Sequence, residues 1–389
     1  MKKLQLYHFH NGRGGGVLAV IKNLIKYSKD PTIENHIIHA INRDKISDYT
    51  MESIEGCVSQ QLFNYSSNNN FYYTCRKLSK LLPDEKAIVV AHDWLELGMV
   101  SNLGLQNPVV HIVHGNYQYY YELALKHSSV VDAYIGISDK IAATLKNIMP
   151  HRINDISQYY FPVPGLPVSR ASSKTTRIIY FVRDLTDPNK RFDTLIKIAD
   201  KLSGKPVDFL FTIVGAGMTG SEFEKIWPEA IRSRVKFLGA RSNEEIHTLL
   251  SNQDIFLLPS LEEGLPVSLI ESMKAGVIPL VTQWDEFLHR LVIPGETGYH
   301  FEPDAVSEYV NCIDFLRANP DRLKIISENC KIKANRLFDP LLNTIRFEEV
   351  YNTVSVTNNK KKPFKVYGSR LDHPRIPNFV TKSIRKAIH

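Results

Sequence analysis

The sequence predicts an α/β protein with two doubly wound domains of similar size that face a central cleft. Short apolar runs alternate with segments of helical periodicity along most of the 389 residues. One stretch, Phe161–Pro167, interrupts the alternation with three prolines and a glycine and is typical of a linker. The alternation indicates parallel strands joined by crossover helices. The length exceeds what one ordinary core accommodates, which favours two domains.

The first half begins with a strand, a glycine-rich turn and a helix. The pattern gives a strand at Leu4–Phe9, the turn Asn11–Gly16 and a helix from Val17. Such a turn lets the backbone approach an anion closely. A dinucleotide-binding fold is a rival interpretation, although the turn lacks the full G-x-G-x-x-G spacing. The later strands are predicted at His36–Ile41, Ala87–Ala91, Val109–Val113 and Ala133–Ile137.

The second half repeats the alternation after the linker. Its strands are predicted at Ile178–Val182, Phe209–Val214, Val235–Leu238, Ile255–Leu258 and Ile278–Val281. Its helices are predicted at Phe192–Leu202, Asn243–Leu250, Val267–Ala275 and Val306–Arg317. We therefore place the domains at 1–165 and 176–339, with a further helix over about 340–354 and a basic tail over 355–389.

The basic character of the chain is concentrated in this tail. Nine Lys and Arg residues and one acid, Asp372, lie between Ser355 and His389, so the tail has a net charge of +8. The rest of the chain has a net charge of −1, which gives the total of +7. An amphipathic pattern near the end suits an anionic membrane surface, and a solvated tail or a dimer contact is the alternative. No recognised nucleic-acid-binding module accompanies the charge, so we expect no nucleic-acid partner.

Membrane-spanning and secreted proteins are poor descriptions of this sequence. No apolar run reaches the roughly 18 residues that cross a bilayer, and the beginning lacks the apolar run of a signal peptide. The four cysteines form no C-x-x-C pair and indicate no disulfide framework. We expect a cytoplasmic protein that binds the inner face of the membrane through its tail.

Two glutamates eight positions apart, Glu263 and Glu271, form the most informative motif. The buried strand predicted at Ile255–Leu258 precedes them, and Pro266 and Gly276 suit the start and the end of a helix. Glu263 therefore falls in a loop at the carboxyl end of a strand, where open α/β sheets bind ligands. Free amides there suit phosphates, and ionised glutamates, which only accept hydrogen bonds, suit sugar hydroxyls.

This segment resembles the E-x7-E motif of the retaining GT-B glycosyltransferases typified by family 4. The resemblance includes the strand before the motif, Glu263-Gly264, Pro266 and the run Ser272–Gly276. It implies two Rossmann-like domains in a GT-B fold, with the last helix returning to the first domain. It also implies that Glu263 and the amides of Gly264 and Leu265 hold the donor sugar, and that Glu271 holds the ribose.

Two cations suit the diphosphate of such a donor. Arg183 follows a predicted strand and Lys190 precedes a predicted helix, so both can reach one anion. The family pattern here is Gly-Arg-Leu followed by Lys-Gly, which Arg183 and Lys190 match; Val182 and Asp184 depart from it. Gly215, in Val-Gly-Ala-Gly, matches a family turn near the nucleotide.

The first domain supplies further candidates at its predicted strand ends. His114 follows the strand Val109–Val113 and matches a family histidine close to the transferred sugar, while His92 follows the strand before it. The resemblance makes Gly15 and Gly16 contacts to the donor phosphates or the acceptor. We predict His114, Glu263, Arg183 and Lys190 as the catalytic set.

The resemblance implies transfer of a hexose-type sugar from a nucleoside diphosphate, most simply a UDP-sugar, to a hydroxyl of a glycan or a lipid-linked acceptor. We expect no metal and no cofactor other than the nucleotide-sugar co-substrate, because cations replace the metal beside the leaving diphosphate. A nucleotide-sugar epimerase on the same fold and a catalytically silent partner subunit remain the alternatives.

Overall fold

The chain forms two compact units. The computed structural model describes residues 3–12, 16–83, 85–166, 175–205, 208–284, 286–357 and 361–388. The first unit contains Met1–Pro162 and Pro340–His389, and the second contains Val163–Asp339. The chain therefore leaves the first unit once and returns to it.

A parallel sheet of seven strands in the order β3-β2-β1-β4-β5-β6-β7 forms the centre of the first unit. The apolar runs of β1, β4 and β5 are almost wholly buried, as expected for strands covered on both faces. The strands are β1 Leu4–His10, β2 Ile33–Asn42, β3 Ser59–Tyr65, β4 Ile88–Ala91, β5 Val109–Val113, β6 Ala133–Gly136 and β7 Ile156–Gln158. The helices between them are α1 Gly16–Tyr27, α2 Phe71–Leu78, α3 Trp94–Leu103, α4 Gln118–Lys126 and α5 Asp139–Ile148.

The second unit repeats this plan with six parallel strands in the order β10-β9-β8-β11-β12-β13. Its strands are β8 Thr176–Asp184, β9 Phe209–Ala216, β10 Val235–Phe237, β11 Ile255–Leu258, β12 Ile278–Thr282 and β13 Tyr299–Phe301. Its helices are α6 Phe192–Ser203, α7 Gly220–Ile226, α8 Asn243–Leu250, α9 Val267–Lys274, α10 Glu286–Leu291, α11 Val306–Ala318 and α12 Pro320–Leu337.

Each sheet has one point where the strand order reverses. In the first sheet β1 lies between β2 and β4, and in the second β8 lies between β9 and β11. Connections on either side of such a switch point run in opposite directions, which opens a crevice at the carboxyl ends of the two strands. The loops after β1 and β4, and those after β8 and β11, are thus the places where each unit is built to bind a ligand.

The residues after Pro340 pack on the first unit. Helix α13, Pro340–Thr357, lies against α1, and the hydroxyl of Ser28 donates to Glu348 at 2.6 Å. The described part of the tail follows, with Lys365 N donating to Ser101 O at 2.9 Å and Tyr367 N to the Asn102 side chain at 2.8 Å. The chain ends in α14, Asn378–Ile388. No helix among the described residues combines the length and the apolar character that crossing a bilayer requires.

Candidate active site

An ion pair joins the two loops at the switch point of the second unit. Lys190 ends the loop that follows β8, and Glu263 lies in the loop that follows β11. Lys190 Nζ and Glu263 Oε1 are 2.7 Å apart, and Glu263 is almost fully buried. Two residues separated by 73 positions are therefore brought to one point by the strand order.

Asn189 fixes the same two loops against each other. Its side-chain amide donates to Glu262 O at 2.8 Å, its side-chain oxygen accepts from Glu262 N at 3.0 Å, and its carbonyl accepts from Leu261 N at 3.0 Å. The Tyr180 hydroxyl adds a bond to Lys190 O at 3.0 Å. Sequence reasoning missed Asn189, because its spacing from the motif glutamates carries no local pattern.

Arg183 lies on the last part of β8, where the pairing with β9 shifts register between Phe181 and Asp184. The side chain of Arg183 is exposed and free to meet a ligand from solvent. Asp184, which departs from the family pattern, stabilises the backbone of the turn that follows β8. Its carboxylate accepts from Thr186 N at 2.9 Å and from the Thr186 hydroxyl at 2.7 Å, and these bonds lower its pKa.

A third departure from the family pattern follows Lys190. Arg191 occupies the position of the pattern's second glycine and keeps the left-handed backbone that glycine adopts easily, with φ of 51°. Its guanidinium pairs with Asp193 at 3.0 Å and with Asp304. These ion pairs hold a conformation that is otherwise unfavourable for a residue with a side chain.

Gly215 lies where β9 passes close to β8. A Cβ there would come within 2.8 Å of Val182 O and 2.9 Å of the Leu185 side chain. The amide of Gly215 donates to Gly239 O at 3.1 Å, which joins the end of β9 to the loop after β10. The glycine therefore has a packing reason of its own, beside the nucleotide contact that the resemblance implies.

Glu271 lies on α9, one turn into the helix that begins at Val267. Pro266 is the residue before that helix rather than its first residue, and Gly276 follows its end with φ of 68°. The Glu271 carboxylate is nearly buried and lies 3.2 Å from His247 Nε2 on α8. His247 is a second residue that sequence reasoning missed.

The loop between β11 and α9 carries groups that suit an anion or a hydroxyl. Gly264 and Leu265 are buried, and within the described ranges neither amide donates to a backbone carbonyl. Ser260 Oγ is also buried, and no described residue offers it a hydrogen bond. Buried polar groups without partners are rare in folded proteins and often belong to ligand sites.

The first unit places a row of histidines at its own switch point. His8 Nε2 lies 3.3 Å from Asn35 Oδ1, His8 Nδ1 lies 3.2 Å from His92 Nε2, and His92 Nδ1 lies 2.8 Å from His114 Nε2. An amide oxygen only accepts, so each ring donates towards Asn35 and accepts from the next. His114 therefore carries its proton on Nε2 and keeps Nδ1 as an acceptor.

Burial keeps these histidines neutral. It lowers the pKa of His8 to about 4 and that of His114 to about 3, and it lowers the pKa of His92 well below its usual range, with His114 and His8 adding to the effect. A neutral His114 is a hydrogen-bonding group at physiological pH rather than a cation.

Gly15 and Gly16 are the remaining predicted site residues. Gly15 lies outside the described residues, and Gly16 is the exposed first residue of α1. No group of His, Cys, Asp and Glu side chains in the described ranges is arranged to hold a metal ion. His114 belongs to the first unit, whereas Arg183, Lys190, Gly215, Glu263 and Glu271 belong to the second.

Comparison with known proteins shows what the second unit and the whole fold resemble. Residues 166–333 match the family model of glycosyl transferases group 1. The crystal structure of TarM superposes with a TM-score of 0.72 over 90% of this chain and 99% of that one, at 11% identity. Anabaena HepE, solved in complex with UDP and glucose, gives 0.71 over 90% and 100%, at 16% identity. Both neighbours have the GT-B fold, so the predicted fold is confirmed.

The second unit therefore resembles the glycosyl transferases group 1, and the chain has the GT-B fold.

The curated relatives are glycosyltransferases whose names differ in what they act on. The phosphatidylinositol N-acetylglucosaminyltransferase GPI3 subunit of Saccharomyces cerevisiae is 22% identical over 57% of this GT-B chain, which spans 49% of that protein's length. A UDP-Gal:alpha-D-GlcNAc-diphosphoundecaprenol alpha-1,3-galactosyltransferase of Escherichia coli is 27% identical over 37% of each chain. An uncharacterized glycosyltransferase of Haemophilus influenzae is 24% identical over 85% of this chain and 95% of that protein.

Proposed function

We propose that this chain is a retaining glycosyltransferase of the family-4 type. It moves a hexose-type sugar from a nucleoside-diphosphate donor, a UDP-sugar, to a hydroxyl of a glycan or lipid-linked acceptor in the synthesis of cell-surface polysaccharide. The observation that carries the proposal is the Lys190–Glu263 ion pair at the switch point, with Glu271 on the helix that follows.

The cations and the carboxylates of the site bind different parts of the donor. Lys190 and Arg183 bind the diphosphate and stabilise the negative charge that develops as it leaves, which is a role for preorganised cations in place of a metal. Glu271 accepts hydrogen bonds from the ribose hydroxyls. Glu263 and the amides of Gly264 and Leu265 bind the transferred sugar. No further cofactor takes part.

Retention follows from attack on the same face as the leaving group. The acceptor oxygen forms its bond to the anomeric carbon as the bond to the diphosphate breaks, and the departing phosphate oxygen takes the proton of the acceptor hydroxyl. His114, neutral and with a fixed tautomer, orients hydroxyl groups near the reacting carbon. A neutral ring suits this position because it adds no charge that would have to be neutralised.

The choice of UDP has support from relatives. The name of the Escherichia coli relative includes a UDP-galactose donor and a lipid-diphosphate acceptor. The structural neighbour HepE was solved with UDP and glucose, and the pneumococcal O-GlcNAc transferase GtfA was solved with UDP and GlcNAc. The names of these three proteins share a uridine nucleotide and a hexose-type sugar, and we propose the same kind of donor here.

A thermal-shift screen against UDP-, GDP-, ADP- and dTDP-sugars tests the donor. A ligand that binds only the native state must raise the melting temperature, so we expect a rise with UDP-sugars and its loss in Lys190→Met. Glu262→Ala is the matched control, because Glu262 is the exposed neighbour of Glu263. No shift with any nucleotide sugar would contradict the proposal, and turnover of a UDP-sugar without acceptor would favour an epimerase.

We also propose that the tail meets the inner face of the membrane. Phe379 on α14 is 70% exposed, and Lys382 and Lys386 follow it on the exposed side of the helix, whereas Thr381 is buried. An aromatic ring flanked by cations suits an anionic bilayer. Flotation with phosphatidylglycerol vesicles is expected to fall in Lys382→Glu/Lys386→Glu but not in Lys140→Glu/Lys146→Glu. Equal flotation of both double variants would contradict the idea.

A further inference from the structure

The C-terminal tail forms one wall of a cavity in the first unit. The cavity has a volume of about 270 Å³, near the lower end of the range of small-molecule sites. The loop after β3 and the beginnings of α2 and α3 form one side, and Tyr367, Asp372 and Arg385 of the tail form another. The tail was predicted from the sequence only as a basic, amphipathic segment, so this cavity is a feature that the structure adds.

Aromatic rings give the cavity a flat apolar surface. Tyr65, Phe71, Trp94 and Tyr367 all line it. The ring of Trp94 packs on Phe71, with centroids 5.1 Å apart, yet Trp94 remains 38% exposed. An exposed indole supported from behind is rigid and offers its face to a ligand at little entropic cost. Such a face suits the C–H side of a pyranose ring.

Cations surround the tail's aromatic ring. Lys126 Nζ lies 5.0 Å and Lys365 Nζ 5.1 Å from the centre of the Tyr367 ring, and both side chains are exposed. The acid in the wall, Asp372, does not offset them, because its carboxylate pairs with Arg385 at 2.8 Å and accepts from Phe71 N at 2.7 Å. The opening therefore carries a net positive charge and favours an anionic group.

Asn69 lies in the wall of the cavity, on a loop that Arg385 of the tail contacts. Its side-chain oxygen is buried, lies on a residue that lines the cavity, and meets no donor in the described part of the chain. The backbone carbonyl of Asn69 is satisfied by Arg385 at 2.6 Å, so the residue itself is held in place. Because this oxygen has almost no accessible surface, a ligand in the cavity contacts the aromatic rings and the cations rather than the side-chain oxygen of Asn69.

The cavity adjoins the histidines of the same unit. A smaller cavity of about 50 Å³ is lined by His10, His92 and Asp93, and Tyr65 and Trp94 line both cavities. Trp94 also follows His92 by two positions, at the start of α3. A ligand in the larger cavity thus lies one side chain away from the residues that lead to His114.

We propose that this cavity binds an anionic sugar residue of the acceptor, a unit next to the one that receives the new sugar. Trp94 stacks on the ring, and Lys126 pairs with the carboxylate or phosphate of the sugar. The inference rests on the proposed function, since it assumes that this chain transfers sugar to a glycan. It adds to that proposal the class of acceptor: a glycan with a negatively charged residue.

Ligand-observed NMR on the full chain tests this directly. The probes are methyl β-D-glucuronide and its neutral counterpart methyl β-D-glucoside, each with and without UDP. We expect saturation transfer to the glucuronide, weaker transfer to the glucoside, and no displacement by UDP. Equal transfer to both probes overturns the anionic part of the proposal, and no transfer to either overturns the site.

Variants separate binding from folding. Trp94→Ala is expected to weaken glucuronide binding about tenfold through loss of the stacking surface. Lys126→Gln is expected to weaken it about threefold, whereas Lys126→Arg and the distant control Lys140→Gln are not. Lys126 is exposed, so Lys126→Gln should not lower the melting temperature. Unchanged binding in Trp94→Ala and Lys126→Gln would contradict the proposal.

The donor measurement keeps the two proposals apart. UDP binding, measured by thermal shift on the same samples, is expected to be the same in wild type, Trp94→Ala and Lys126→Gln. Loss of glucuronide binding with UDP binding intact concerns the acceptor cavity alone. Absence of UDP binding in the wild type overturns the proposed function, whatever the glucuronide does.

Discussion

Single residues in this chain show where local chemistry replaces a family pattern. Val182 and Asp184 depart from the family pattern on either side of Arg183. In the structure, Asp184 closes a turn with Thr186 and Gly215 leaves room for Val182 O. The loop is thereby held by contacts that only the folded chain brings together. Sequence spacing could give the candidates, but not these partners.

Arg191 gives a prediction about backbone strain. Its left-handed φ of 51° costs a residue with a Cβ about 1–2 kcal/mol, and its ion pairs with Asp193 and Asp304 offset that cost. Arg191→Ala removes the ion pairs and keeps the strain, whereas Arg191→Gly removes both. Urea unfolding is therefore expected to show Arg191→Gly above Arg191→Ala by about 1 kcal/mol. The opposite order of the two variants would contradict this account.

His111 gives a prediction about an unsatisfied core group. It lies on β5, is fully buried, and neither ring nitrogen has a hydrogen-bond partner among the described residues. Burial lowers its pKa to about 3. His111→Leu replaces a polar ring by an apolar side chain, so the free energy of unfolding at pH 7.5 should rise by about 1–3 kcal/mol. A lower urea midpoint than wild type would contradict this.

At the level of elements, the sequence predicted the central strands well. Val109–Val113 and Ile255–Leu258 were predicted with the observed ends, because buried parallel strands are continuous apolar runs. The edge strand β3 was missed, since Ser59–Tyr65 is largely polar and partly exposed. β8 also extends beyond its predicted ends, from Thr176 to Asp184. Edge and terminal positions lack the apolar signal on which such predictions depend.

The tail illustrates a limit of a different kind. Its positive charge was evident from the sequence, but the residues that bind one of its lysines lie more than two hundred positions away in the chain. Lys362 Nζ bonds to Asp132 Oδ2 and to Asn107 O, each at 2.5 Å, and Lys362 is buried. Lys362, which the sequence places in a run of solvated lysines, is therefore a buried residue that joins the tail to the first unit.

Loss of the Lys362 contact should loosen the tail. Lys362→Met leaves the largely buried Asp132 carboxylate without its cation, which costs about 3–5 kcal/mol for a buried pair. We expect a lower urea midpoint and faster hydrogen exchange over 361–388. Lys382→Met, an exposed lysine on α14, is the control and should change neither. Wild-type exchange in the Lys362 variant would show that the pair does not hold the tail.

For the whole molecule, the buried histidines predict sensitivity to acid. The pKa values of His8 and His127 are lowered to about 4, and those of His111 and His114 to about 3, in each case mainly by burial. From pH 6.5 down to about 4 the unfolded chain binds more protons than the folded one, so the free energy of unfolding falls as the pH falls. Burial, with a contribution from Asp93, raises the pKa of Glu96 to about 8. Glu96 therefore keeps one proton in the folded chain that the unfolded chain loses, which opposes the effect of one histidine.

Urea midpoints between pH 7.5 and pH 5 measure this dependence. His111→Leu removes one of the groups, so its free energy of unfolding should fall less steeply than that of the wild type, by up to about 1.4 kcal/mol per pH unit. His151, an exposed histidine whose replacement by Gln serves as the control, should leave the slope unchanged. Parallel slopes for wild type and His111→Leu would contradict the prediction.

The central claim concerns how the second unit holds a donor, and calorimetric titration with UDP tests it most directly. A carboxylate that accepts from ribose hydroxyls contributes at least about 1.5 kcal/mol, so Glu271→Ala is expected to weaken UDP binding at least about tenfold. Glu262→Ala should bind UDP as the wild type does. Glu271→Ala with wild-type affinity for UDP would contradict the assignment of the donor site.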